Sequence, residues 1–138
     1  MTNVLRPGVL TALLLGSWFG TAGPAVAFDL NGAWATSADQ CEKVFTRQGG
    51  KFAFTENSDV YGGGFIVEGD QMIGKAARCK VKARKDNGDN INMVASCATD
   101  IMLSSVQFSV KVLDANSLVR TFPGLEDLEI RYQRCTAP

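Results

Sequence analysis

Residues 77–83 and 91–97 each place a small or apolar side chain at every second position. Ala77, Cys79, Val81 and Ala83 interleave with Arg78, Lys80, Lys82 and Arg84, and Ile91, Met93, Ala95 and Cys97 repeat the pattern. Successive side chains on a strand point to opposite faces, so this period of two specifies strands with one buried face. Asp86-Asn87-Gly88-Asp89 lies between them, and Asn and Gly tolerate the positive φ of a tight hairpin. Cys79 and Cys97 lie equally far from Gly88. A turn centred there sets them directly opposite on the inward face, within disulfide reach. The remaining cysteines, Cys41 and Cys135, would then tie the first strand region to the end of the chain. In the chain-entropy picture the long link contributes about 4–5 kcal/mol and the hairpin link about 3 kcal/mol.

The same alternation continues elsewhere, punctuated by Gly, Asn and Asp clusters every ~10–15 residues. Strands are expected over 32–36, 51–55, 64–68, 72–85, 90–99, 102–113, 118–122 and 128–134, with a helical turn over 39–45 that Ser37 is placed to cap. Eight short antiparallel strands make either an up-and-down barrel or a sandwich. Met102, Val106, Phe108, Val110 and Val112 share one face, and Leu128, Ile130 and Tyr132 share another. Phe52, Phe54, Phe108 and Tyr132 are the aromatics expected inside.

Residues 1–27 read as a secretory signal peptide. Arg6 supplies the positive start, 9–19 form an apolar run, and Gly23-Pro24 precede Ala25-Val26-Ala27, the small-x-small pattern of a cleavage site. The run is shorter than the ~20 residues that a membrane-spanning helix needs, and no other segment reads as membrane-spanning. Cleavage after Ala27 leaves one domain, 28–138, of about 110 residues with a modest core. It begins with Phe28 rather than the Cys of a lipoprotein. Four cysteines in a short exported chain form two disulfides, and their spacing matches no zinc site. The expected location is periplasmic or secreted.

Charge and residue types exclude much chemistry. Fourteen basic residues balance fourteen acidic ones and there is no His, so neither a nucleic-acid binder nor imidazole catalysis is indicated. The oxygen-rich 86–90 lacks the Glu that would complete a calcium loop, and 62–64 lack the Lys of a phosphate loop. Asp39, Glu42, Glu126, Asp127 and Glu129 show no spacing that selects a glycosidase pair. Oxidised cysteines are not nucleophiles. No catalytic residue, metal or cofactor is expected.

Gly32-Ala33-Trp34 resembles the Gly-x-Trp motif on the first strand of lipocalins, where the Trp closes the barrel floor beneath a basic residue of the last strand. Arg134 is the expected basic partner and Arg131 the second. The same stretch, with Cys41 following, is similar to the start of small periplasmic lipocalin-like inhibitors of metalloproteases, and the whole chain resembles small exported proteins of alphaproteobacteria. With the strand pattern and the two disulfides, the resemblance implies an all-β, antiparallel, up-and-down eight-stranded barrel, acting as a non-enzymatic binding protein whose ligand the sequence does not name. An apolar ligand in its mouth is one option, and an interior filled by its own side chains is the other. The alternative is an inhibitor of a secreted protease or lysozyme, in which Phe28, Asp29, Leu30 and Asn31 would plug the target's cleft; a third is a structural envelope protein. Arg78, Lys80, Lys82 and Arg84 form either a docking stripe for anionic lipid, polysaccharide or an acidic protein, or a solvated outer face.

Overall fold

The structure, a computed structural model, describes Gly20, Gly23 and residues 25–136, so most of the expected leader over 1–27 lies outside the described residues. Among the described residues ten strands form: β1 (Gly32–Ala35), β2 (Phe45–Gln48), β3 (Lys51–Phe54), β4 (Gly64–Glu68), β5 (Gln71–Ile73), β6 (Arg78–Asn87), β7 (Asn90–Ala98), β8 (Leu103–Asp114), β9 (Ser117–Phe122) and β10 (Leu125–Cys135). Eight of them close an antiparallel barrel in the order β1-β10-β9-β8-β7-β6-β5-β4. Two disulfides, Cys41–Cys135 and Cys79–Cys97, cross-link it.

The number of barrel strands matches the sequence reading, but the membership differs. Residues 51–55, expected in the barrel, instead pair with β2 in a separate two-stranded hairpin. Residues 72–85, expected as one strand, divide into β5 and β6 where Gly74 N–H donates to Ala77 O at 2.8 Å and closes a tight turn. The outer hairpin has its own apolar partner. Phe45, Phe52 and Phe54 pack with Val44, Ala33, Ala35 and Ile66 on the outside of the barrel wall. Phe52 and Phe54 therefore belong to this outer cluster and do not line the interior. With both its faces covered, β1 buries Ala33, Trp34 and Ala35 completely.

The expected helical turn is a 3-10 turn, Ala38–Gln40, followed by α1 (Cys41–Val44). Ser37 does not cap it; its hydroxyl donates to the Asp39 carboxylate instead. The disulfide from Cys41 to Cys135 ties α1 to the end of β10.

The β6–β7 hairpin reaches the expected cysteine pair by an unexpected route. Asn87 pairs with Asn90, so the turn is Gly88-Asp89, with Gly88 at φ +59° in the region that favours glycine. An unbroken ladder from that turn would set Cys79 opposite Ala98. A bulge between Val81 and Ala83 leaves Lys82 unpaired and shifts the register by one, which returns Cys79 to Cys97. Between the bulge and the turn the faces exchange: Arg84 lies opposite Met93 and Asp86 opposite Ile91, on the side of buried core residues.

Candidate functional site

One end of the barrel is sealed. Residues 28–31 cross it just before β1, and side chains from the wall hold all four of their carbonyls. Arg134 donates through Nη1 to Asn31 O and through Nη2 to Asp29 O, the latter at 2.7 Å. Trp34 Nε1 donates to Leu30 O at 2.8 Å, and Arg84 Nη2 to Phe28 O at 2.7 Å. The Arg134 guanidinium lies 4.3 Å from the Trp34 ring centre, and its Nε reaches Ala115 O in the β8–β9 turn at 3.0 Å. Gly32 lies beside it with a φ of +122°, a backbone conformation that disfavours any other residue. Asn31 Oδ1 accepts from Gly69 N–H, tying the segment to the β4–β5 turn. Leu30 is 4% exposed and faces the interior cluster.

Gly32, Trp34 and Arg134 thus meet at the floor, while Arg131 lies opposite Val119 on the outer parity of β10. Residues 28–31, the expected inhibitory segment, form the floor: their carbonyls are hydrogen-bonded and Leu30 is buried, while Asp29 and Asn31 are exposed.

The basic ladder is also divided. Arg78 and Lys80 stay outward, with Lys80 3.5 Å from Asp70, and Lys82 is the exposed bulge residue. Arg84 leaves the stripe because the bulge moves it to the face of Met93, where it stays partly exposed at the rim of the floor. It forms a two-pronged pair with Asp86, Nε to Oδ1 at 2.7 Å and Nη2 to Oδ2 at 2.8 Å. That pairing raises the Arg84 pKa, and the same hydrogen bonds hold the Asp86 carboxyl below its ordinary value.

Above the floor the interior is not filled. A cavity of about 160 Å³ is walled by Leu30, Phe65, Met72, Met93, Val110 and Tyr132, and it reaches the opposite end beside Gly74 and Ala77 in the β5–β6 turn. Phe108 also lines it, as expected, and so does Arg120. Phe65 stacks on Trp34 at 6.3 Å and meets Tyr132 edge-on at 4.9 Å, so an aromatic column runs from floor to cavity.

Two wall residues escaped the sequence reading. Phe65 stood inside an expected strand without being singled out. Arg120 carried a readable signal, since Leu118, Arg120 and Phe122 share one parity and place a cation in an otherwise apolar row.

No helix among the described residues is long and apolar enough to cross a membrane. No family model matches this chain, and neither a curated protein nor a solved structure shows significant similarity to it.

Proposed function

We propose that this chain is an exported, non-enzymatic binding protein that carries one small, largely apolar ligand inside its barrel. The cavity carries this reading: one end is sealed by a hydrogen-bonded floor, and the space above it is walled mainly by apolar and aromatic side chains. Such a concave apolar site with few polar groups is what small-molecule binding requires. The two disulfides and the leader-like residues 1–27 support an oxidising, extracytoplasmic location.

The volume limits the occupant. A cavity of about 150 Å³ lined by aliphatic and aromatic groups accepts benzene, so one ring or a chain of about six carbons matches the space here. Native mass spectrometry of protein purified without detergent from the extracytoplasmic fraction tests the reading. The expected result is a small molecule that stays through gentle ionisation and leaves on denaturation. Protein that is empty as isolated and takes up neither 1-hexanol nor benzyl alcohol would overturn it.

A further inference from the structure

Two other arginines on the interior parity of this barrel have their donors occupied. Arg134 spends its guanidinium on three carbonyls and Arg84 on a carboxylate and a carbonyl. Arg120 is different. It sits on β9 opposite Val110 of β8 and Ile130 of β10, on the interior parity. Its guanidinium packs between two rings, 4.4 Å from the Phe108 centre and 4.6 Å from that of Phe122. Its Nε is shut off from solvent and, among the described residues, has no hydrogen-bond partner. The ion pairs among those residues are Lys51–Glu68, Lys80–Asp70 and Arg84–Asp86, and none involves Arg120.

We propose that the barrel ligand is a small monocarboxylate, whose carboxylate pairs with Arg120 while its apolar body fills the cavity below. This rests on the cavity being a binding site and adds the charge of what binds there. Arg120 as a residue is half-buried, but its Nε is withdrawn from water, and a buried donor without a partner is unfavourable. Two aromatic faces offset part of that penalty, and they leave the in-plane N–H edge, with the orphaned Nε, unused. A planar carboxylate meets a planar guanidinium edge with two parallel hydrogen bonds, a geometry that an ammonium group cannot reproduce. Arg120 lies towards the open end of β9, and Leu30 closes the cavity at the other end. A ligand with its charge near the mouth and its ring or short chain inward satisfies both. A lipid with two long chains exceeds the volume.

Hexanoate and 1-hexanol differ in the charged group and share the chain. Titrated into the folded protein at neutral pH and followed by amide and Arg side-chain NMR, hexanoate should bind about tenfold or more tightly than 1-hexanol and should shift the Arg120 Nε–H resonance. Arg120→Gln should abolish the preference, so that the variant binds hexanoate no more tightly than it binds 1-hexanol, and Arg120→Lys should keep only part of the preference. Equal binding of acid and alcohol by the wild type would overturn the carboxylate assignment and leave the cavity reading standing. Binding of neither would overturn both. Should the Gln variant fail to fold, the wild-type preference and the Nε–H shift still decide.

Discussion

Arg134 and Arg120 occupy the two ends of one barrel and face inward from neighbouring strands, yet their surroundings are opposite. Arg134 stacks on Trp34 and donates to Asp29, Asn31 and Ala115 carbonyls, so that removing it would orphan acceptors on two different segments. Arg120 stacks on Phe108 and Phe122 and leaves its Nε without a partner. Both use aromatic faces to hold a cation in place. One has its hydrogen bonds supplied by its own chain and therefore builds the fold; the other has them unspent beside a cavity. A charged residue inside a barrel is thus assigned by what its donors touch, and burial alone does not separate a structural role from a binding one.

The largest effect is expected at the closed end. Replacing Cys41 and Cys135 together by Ser releases α1 from β10 and should lower unfolding free energy by about 4–5 kcal/mol, measured by urea denaturation under oxidising conditions. A loss under about 1 kcal/mol would mean that the outer layer hardly supports the floor.

The comparison itself is sharpened by matched variants. Arg134→Met should cost about 2–3 kcal/mol, because it strands carbonyls that its donors now satisfy. Arg120→Met should stay within about 1 kcal/mol of the parent, or gain slightly, since it removes a buried Nε that has no partner. Equal losses in the two variants would break the distinction between the ends.

A smaller effect concerns pH. Hydrogen bonds from Arg84 hold the Asp86 carboxyl below its ordinary value, so the folded chain takes up that proton less readily than the unfolded chain. The stability this contributes is complete above the unfolded value of about 3.9 and is lost as pH falls through the lower folded value. Asp86→Asn should flatten the acid limb of a stability–pH curve and lower the plateau at neutral pH. An unchanged acid limb would show that the pair does not help to hold Phe28 and the floor.

The smallest effect belongs to the outer face. Changing Arg78, Lys80 and Lys82 together to Gln should alter stability by no more than about 0.5 kcal/mol, because these charges lie in water and the Lys80–Asp70 pair is exposed. Adding Arg84→Gln to that set should produce a clear further drop in a thermal melt. Were all four interchangeable, the inward turn of Arg84 would be wrong.

Much of the architecture is legible in the chain because strand periodicity and turn chemistry are local. Alternation and the even cysteine count lead to an all-β barrel with Cys79 paired to Cys97, and both are observed, although the turn is Gly88-Asp89 and the bulge restores the pair. What local patterning cannot carry is the count of residues between a turn and a pair. Lys82 reads as one more member of an alternating row, and only the ladder with β7 shows that it is the extra residue which flips Arg84 inward. Likewise Phe52 and Phe54 alternate as barrel residues do, but alternation names a buried face without naming what buries it. The outer surface of β1 and β4 wins them because Ala33 and Ala35 are small enough to let a second layer close over the wall.

The division between sequence and tertiary structure runs along the same line. Strand character and the place of the hairpin turn follow from residue type and spacing, since each rests on preferences acting over a few residues. The Gly32–Trp34–Arg134 floor is an expectation from resemblance, and the register that joins Cys79 to Cys97 needs a bulge that spacing does not show. The use of residues 28–31 as the floor, the outer hairpin, the cavity above the floor and the unpartnered Nε of Arg120 arise only when the sheet closes. Closure fixes which carbonyls meet which donors and how much volume the side chains leave unfilled, and both depend on residues far apart in the chain.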